Sequence, residues 1–413
     1  MTERKYNMDT IKVGFVGLGA RGVSLLETII VKQKGVQVVY VCDAYEDRAQ
    51  KGVEIVKEAG FPEPQATTDY NEVVKCDEVE CVIVASDWLT HIEIAIAAMK
   101  EGKAVGMEVG GACDLEECFE LVRVWEEKRV PFMLLENCCF GKREMMAIEM
   151  VKRGLFGEIV HCSGGYCHDL RDEIAFGKEN RHYRLKQYTY RNCENYPTHE
   201  IGPIAKLLNI NTGNRFVSLT STSSKACGMR DYIKNHKADD EELLNTVFNQ
   251  GDIVNTVIKC ANGETVAITL DTTLPRFYSR GFTVRGTLGM YQEDTDSVLV
   301  DGDERYKDNH FDWISKHIHN AEEYEKEYMH PVWQKYIEEG VQGTHDGMDY
   351  LEFTHFFRCL RENKPMPIDV YDAATWMAIT ALSQQSIDSG SAPVAFPDFT
   401  KGKWTLRKRH ELF

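Results

Sequence analysis

Six residues near the start of the chain, Gly17-Leu18-Gly19-Ala20-Arg21-Gly22, limit the possible folds more than anything else in the sequence. They spell G-x-G-x-x-G after an apolar β-like run and lead straight into a helix, the setting that gives this pattern its meaning. The first glycine permits a tight turn, the second lets backbone approach a pyrophosphate, and the third brings helix against strand. The helix N-terminus then offers unpaired N–H groups and a positive dipole end to that anion. Asp43 closes the second apolar run about 20 residues on, where an acid takes a ribose 2′-hydroxyl. An acid there favours NAD over NADP, with Arg21 and Arg48 as the residues that could pull the other way. A chance glycine cluster is the alternative; strand, helix and Asp43 together argue against it. No second fingerprint follows, which disfavours a flavin.

The runs around this loop predict a doubly wound parallel α/β sheet of Rossmann type. Strands are expected at 11–16, 36–42, 81–85, 104–107 and 131–135, with helices over 24–34, 48–59, 91–101 and 115–128 between them. Short, wholly apolar strands separated by helices imply a sheet covered on both faces. After a helix over 143–154 the pattern changes to longer strands without intervening helices: 159–166, 216–223, 252–260, 265–272 and 281–285. These predict an α+β second lobe with a large open, mostly antiparallel sheet, closed by helices over 350–363 and 372–388. The charged, aromatic stretch 301–343 reads as helix and loop, and the overlapping acidic, aromatic stretch 306–350 as a surface and interface segment. The division is expected as residues 1–150 for the cofactor lobe and 151–413 for the substrate and oligomerisation lobe.

Composition excludes several function classes. Lys plus Arg number 48 against 65 Asp plus Glu, a formal charge of −17, which disfavours nucleic-acid phosphates and anionic membrane surfaces. No apolar run approaches the ~18 residues a bilayer span requires. Residues 1–10 carry two charges of each sign and no apolar stretch, unlike a signal peptide. The 13 cysteines form no Cys-x-x-Cys and lie in apolar runs, so they read as reduced, packed thiols in a cytoplasmic protein. No metal is expected: His317-x-His319 lacks a third ligand at a known spacing, and no His-Glu-x-x-His occurs. No Gly-x-Ser-x-Gly elbow supports a serine nucleophile.

The fingerprint, the segment Ala85-Ser86-Asp87-Trp88-Leu89-Thr90-His91 and the acid in Gly106-Met107-Glu108 resemble the Gfo/Idh/MocA oxidoreductases. Within that superfamily the chain is most similar to the NAD-dependent α-N-acetylgalactosaminidase group of glycoside hydrolases. The resemblance rests on Met107-Glu108-Val109, Gly164-Gly165-Tyr166-Cys167-His168-Asp169-Leu170-Arg171, Tyr196-Pro197-Thr198-His199, Tyr278-Ser279-Arg280 and Gly343-Thr344-His345-Asp346-Gly347-Met348-Asp349. It extends through Asp369-Val370-Tyr371-Asp372-Ala373-Ala374 and Phe396-Pro397-Asp398-Phe399-Thr400. It implies a Rossmann lobe joined to an open-sheet lobe, NAD as cofactor, and a sugar or glycoside substrate. Two departures stand out. Glu108-Val109-Gly110 replaces the Glu-Lys-Pro of plain sugar dehydrogenases, as in the glycosidase group. Phe140 and Glu200 stand where that group often has tyrosine and glycine.

The residue types also make chemical sense by themselves. Hydride transfer from a carbinol leaves a hydroxyl proton to be removed, a task for His or Tyr. Tyr196 and His199 lie three apart and share a face if the segment is helical or turn-like, with Pro197 fixing entry to the next helix. The catalytic candidates are His199, Tyr196, Glu108 and Tyr278. Gly17, Gly19, Ala20, Arg21, Gly22, Asp43, Arg48, Trp88, His91 and Glu108 are the cofactor candidates, and His168, Asp169, Arg171 and His345 those for the sugar, His345 with the nicotinamide as its alternative. Structural alternatives stand beside them: a helix-capping His199, a packing Tyr196, a His168–Asp169 surface pair, a Glu108 bonded only to backbone, a loop-shaping His91, and a plain core Trp88.

Oxidation of a pyranoside at C3 would acidify the C2 proton and permit elimination of the C1 substituent. Water addition and hydride return would complete a redox-neutral hydrolysis; stopping early would give net glycoside oxidation. An ordinary free-sugar or inositol dehydrogenase and a catalytically silent NAD-binding regulator are the rival readings. A homo-oligomer, dimer or tetramer, is expected through the second lobe.

Overall fold

A computed structural model describes residues 10–305 and 317–413. The N-terminal residues read above as no signal peptide, and the portion 306–316 of the acidic aromatic stretch, lie outside the described residues. Two compact units result: residues 10–140, 340–378 and 410–413 form the first, and 141–339 with 379–409 the second. The expected division at residue 150 differs from this in two ways. The first unit ends at Phe140, and it takes back residues 340–378.

The first unit is built on a six-stranded sheet in the order β3-β2-β1-β4-β5-β6. Its strands are β1 (Ile11–Val16), β2 (Val36–Cys42), β3 (Gln65–Thr67), β4 (Cys81–Val84), β5 (Ala104–Glu108) and β6 (Phe132–Leu135). Every pairing is parallel, as strands apolar on both faces require. β4, β5 and β6 are buried at every position. The short β3 and the helix Tyr70–Lys75 were not foreseen, since neither carries a full apolar period. Chain order reverses between β1 and β4, so the carboxyl ends of those strands flank the crevice where such sheets hold ligands.

Residues 340–378 belong to this unit because of one helix face. In Met348–Glu362, Phe353, Phe356 and Phe357 are wholly buried. A Cβ on Gly106 of β5 would lie 3.2 Å from the Phe356 ring, so glycine there lets the helix settle onto the sheet. Each aromatic side chain so buried contributes about 2–3 kcal/mol before entropy is counted.

The second unit carries an eight-stranded sheet, β13-β12-β11-β7-β10-β9-β8-β14. Its strands are β7 (Ile159–Cys167), β8 (Phe216–Ser223), β9 (Ile253–Cys260), β10 (Thr265–Asp271), β11 (Thr283–Gly286), β12 (Gly289–Gln292), β13 (Ser297–Val300) and β14 (Val394–Ala395). All pairs are antiparallel except β7 with β10. β9 reads iBeBeBeB in burial, the alternation of a sheet with one covered face. The helix Thr198–Leu207 covers β7. A Cβ on Gly164 would come 2.8 Å from Glu200 Cβ, so that glycine admits the helix to close range. Helices Arg171–Ala175, Arg184–Tyr190 and Gly228–His236 fill stretches the strand reading passed over.

All thirteen cysteines are free thiols, most of them buried; burial, with Asp43 beside it, pushes the Cys42 thiol up to about 12. Among the described residues no helix is long and apolar enough to cross a membrane.

Candidate active site

The glycine loop of the first unit has the shape its sequence predicts. Gly17 has φ +100°, and a Cβ there would meet the Ala85 carbonyl at 2.4 Å. A Cβ on Gly22 would sit 1.9 Å from the Gly17 oxygen, which fixes helix against loop. Gly19 differs: its Cβ would meet only Arg48 Nη1, at 3.7 Å. The surface above Gly19 is therefore an open cradle beneath a cation. The helix Ala20–Thr28 starts here with no side-chain cap and no acid in its first turn, leaving its N–H groups to an anion. This donor set fits a dinucleotide pyrophosphate.

Asp43 stands at the end of β2 with its Oδ2 accepting from Leu18 N at 2.6 Å and its Oδ1 from Tyr45 N at 3.0 Å. It shapes the loop while keeping lone pairs for a ribose. Arg48 lies with its guanidinium 5.0 Å from the Tyr45 ring centre. Trp88 and His91 are both buried and pack beneath Gly110, where a Cβ would meet them at 2.5 and 2.7 Å. Burial lowers the His91 imidazole to about 4, so it is neutral. Both rings shape the loop after β5.

Arg21 does not reach toward a phosphate of NADP. Its Nη1 and Nη2 donate to Asp349 at 2.8 and 3.0 Å, and its Nε donates to Glu108 Oε1 at 3.1 Å. Burial opposes the charge, but Glu108 and Asp349 hold this guanidinium protonated. Glu108 Oε2 accepts its own neighbour's N–H, that of Val109, at 3.1 Å. Asp349 is completely buried and also accepts from Asn137 Nδ2 at 2.7 Å, Thr344 Oγ1 at 2.6 Å and His345 Nδ1 at 2.8 Å. Against the upward push of burial, bonds from His345 and Arg21 keep its carboxyl far below the usual range. Glu352, also fully buried, is driven the other way by burial and by Glu108 and Asp349, and stays protonated.

In the second unit the structure brings together four of the predicted residues, Tyr196, His199, His168 and Tyr278. Tyr196 meets His199 edge-on with ring centres 4.9 Å apart, the shared face that their spacing implies. The Tyr166 ring lies 4.5 Å from Tyr196 and 5.6 Å from His199. Its hydroxyl is 3.1 Å from His168 Nδ1, and His168 in turn sits edge-on to Tyr278 at 5.2 Å. Five rings thus run continuously from the helix start after Pro197 across the end of β7 to the exposed Tyr278. In the same strand, a Cβ on Gly165 would strike Thr269 O of β10 at 2.5 Å, so the close pairing of β7 with β10 requires glycine there.

Asp169 and His168 do not pair. Asp169 is held by Arg171, with Nε and Nη2 at 2.8 and 2.7 Å. The two form a closed pair beside Tyr232, whose ring centre is 5.0 Å from the Arg171 guanidinium.

Arg184 is the main residue that sequence reasoning missed here. It is buried, its guanidinium 5.5 Å from the Tyr196 ring centre, and it pairs with Glu173. Burial and then Arg184 lower the His168 imidazole, keeping it neutral; burial pushes the Tyr166 phenol up despite Arg184. Glu194, just before Tyr196, is also buried, and burial raises its carboxyl to about 8. Tyr166 and Asp349 stood within quoted motifs; Arg184 lies in a Tyr- and Arg-rich stretch with no period to single it out. Of the two departures, Phe140 is core, edge-on to Phe413 at 5.4 Å, and Glu200 is buried over Gly164.

Known proteins match both units. Residues 140–406 match the family model "Glycosyl hydrolase 109, C-terminal domain", and residues 11–135 match "Oxidoreductase family, NAD-binding Rossmann fold". The chain is 38% identical to an α-N-acetylgalactosaminidase of Tannerella forsythia, over 96% of this chain and 88% of that protein. It is 34% identical to an α-N-acetylgalactosaminidase of Shewanella oneidensis, over 97% and 87%. Among solved structures it is similar in fold to a levoglucosan dehydrogenase in complex with NADH and levoglucosan (TM-score 0.66, 17% identity, 94% of this chain and 100% of that one). A scyllo-inositol dehydrogenase from Lactobacillus casei with bound NAD(H) and scyllo-inositol matches at TM-score 0.64 and 15% identity, over 94% and 99%.

Proposed function

The chain belongs to glycosyl hydrolase family 109, an NAD-dependent enzyme family on a Gfo/Idh/MocA fold, and from that premise we propose that it cleaves a pyranoside by transient oxidation at C3. The terminal α-N-acetylgalactosaminide named for its relatives is the first substrate to test. The observation that carries this reading is the Tyr196–His199 contact, extended through Tyr166 and His168 to Tyr278. Such a surface stacks on a sugar ring and bonds its hydroxyls, with paired groups for proton transfer.

Bound NAD supplies the acceptor for the C3 hydride and later returns it. His199 and Tyr196 take the C3 hydroxyl proton as the carbonyl forms, with the buried Arg184 guanidinium set against the Tyr196 ring. The 3-keto sugar has an acidic C2 proton, which the same pair removes after passing the first proton to solvent; the C1–O bond breaks and the aglycone leaves as its alcohol, its oxygen taking a proton from water. His168, kept neutral, accepts or donates a hydrogen bond to a ring hydroxyl. Water then adds at C1 with a proton at C2, and reduction at C3 releases the free sugar. The Glu108-Val109-Gly110 segment favours this route over simple dehydrogenation, since no lysine follows the acid.

The assay is product mass together with reduced-nicotinamide absorbance on a panel of aryl glycosides. Free sugar without accumulating reduced cofactor supports the hydrolytic cycle. Glycoside lighter by two mass units with stoichiometric reduced cofactor would show net oxidation instead. No product from any glycoside would sink the proposal.

The same reading includes a cytoplasmic home, supported by thirteen free thiols, and a homo-oligomer. Support for the latter lies on the open face of the second sheet. Thr283, Ser163, Ala267, Val257 and Thr220 pair side by side across five strands, a row of small and β-branched side chains without charge. Light scattering tests it: a monomer for the native chain, or a dimer unaffected by Val257→Lys, would overturn association through this face.

A further inference from the structure

The turn before the helix Met348–Glu362 runs through left-handed backbone. Three successive residues, His345, Asp346 and Gly347, have φ of +50°, +52° and +88°. Two of them carry side chains, and left-handed backbone at non-glycine residues is strained and held in place by its surroundings. The conformation turns the His345 side chain, 52% exposed, back onto the buried Asp349. Nδ1–H donates to Asp349 Oδ2 at 2.8 Å, which fixes the tautomer and leaves Nε2 as an acceptor when the ring is neutral. Among the described residues Nε2 has no hydrogen-bond partner. The same carboxylate holds Arg21, in the first turn of the helix behind the glycine cradle, and Arg21 Nη1 lies 3.4 Å from His345 Nδ1. Asp349 thus joins the start of that helix, the turn after β6 through Asn137, and the strained turn. All of these residues belong to the first unit, on which the cofactor cradle is built.

We propose that His345 is a latch on the bound dinucleotide, its Nε2 accepting a hydrogen bond from a ribose hydroxyl, and that Asp349 is its positioning residue. This gives His345 to the cofactor's ribose, where sequence reading left it between the sugar and the nicotinamide. The inference rests on the NAD-dependent cycle proposed above. In a cycle that returns its hydride, NAD does not need to leave between turnovers, and a latch that slows its release keeps the enzyme in the productive form. A dehydrogenase that exchanges cofactor every turnover has no use for one.

The test loads the full-length enzyme with isotopically labelled NAD and follows loss of label in excess unlabelled NAD, without sugar. His345→Ala is expected to release label about 10- to 100-fold faster, as loss of one hydrogen bond to a charged or polar ligand group allows. His345→Gln, which keeps a polar tip, should recover part of that. Asp349→Asn presents an amide to Nδ1 and reverses the tautomer, so it should match His345→Ala, and the double variant should release no faster than either alone. Should Asp349→Asn fold poorly, His345→Ala decides by itself, because its side chain is at the surface. Release from His345→Ala at the native rate overturns the proposal, and does so most directly if the KM for the glycoside rises, returning His345 to the sugar. A native enzyme that binds no labelled NAD at all would overturn the catalytic reading as well, whereas normal glycoside turnover with unaltered release would overturn the latch only.

Discussion

The guanidinium of Arg184 lies 5.5 Å from the centre of the Tyr196 ring, buried with its charge set against Glu173. A desolvated cation against an aromatic ring is attracted by the ring's negative face and gives the ring a fixed neighbour.

Replacing Arg184 with Met should therefore lower kcat/KM by about 30-fold, roughly 2 kcal/mol of lost interaction. Glu173 is 36% exposed at its side chain, so it is partly solvated when orphaned, and the stability loss should stay near 1–3 kcal/mol. The pH profile separates this from simple destabilisation. Burial and Arg184 both lower His168, so removing the arginine lets that imidazole titrate at higher pH. If neutral His168 is needed, the acid limb of kcat/KM moves upward in pH. An unmoved limb would dissociate Arg184 from His168.

How much of this was legible in the sequence differs between local and distant relationships. The glycine loop was legible because turn, strand and helix are adjacent in the chain, and Gly17 and Gly22 are demanded by contacts with Ala85 and within the loop. The Tyr196–His199 pair was legible because three residues fix a shared face. Asp349 was not: its partners Arg21 and Asn137 lie 328 and 212 residues away, and no local pattern encodes that meeting. The helix carrying Phe353, Phe356 and Phe357 was read correctly as a helix but given to the wrong lobe. Its apolar stripe says that it is buried and not against which sheet.

His199→Ala and Tyr196→Phe test the proton-transfer pair. Each should lower kcat by about 10²–10⁴-fold, the range for loss of a positioned acid–base group. Neither residue belongs to the first unit, so NAD affinity should be unchanged. Equal loss of NAD binding and turnover would point to a folding defect instead.

Glu194 gives a stability signature against pH. Its folded-state carboxyl is raised to about 8, whereas an unfolded chain has it near ~4.3. Between those values the native state holds a proton that the unfolded state releases. The resulting stabilisation is fully present below about pH 4 and is lost as pH rises toward 8. Glu194→Gln removes the dependence, so its Tm should exceed the native value by a few degrees at pH 8 and converge with it near pH 4–5. Parallel Tm curves across that window would show that Glu194 is ionised in the folded protein.

The glycine loop separates two roles that a family pattern merges. A methyl at Gly22 falls 1.9 Å from the Gly17 carbonyl oxygen, with no flexible side chain to yield. Gly22→Ala should thus cost about 1–3 kcal/mol or more and lower Tm in the absence of NAD. Gly19 has φ −67° and ψ −174°, which alanine adopts without strain, and its methyl would make only ordinary contact with Arg48. Gly19→Ala should leave Tm of the cofactor-free protein within about a degree. Its methyl stands instead where the pyrophosphate must approach backbone, so NAD affinity should fall by tenfold or more, an estimate at the level of one lost hydrogen-bonded contact. Thermal unfolding and NAD titration of the two variants read these effects separately. If Gly19→Ala bound NAD as tightly as the native chain, the phosphates would have to lie elsewhere than over this cradle.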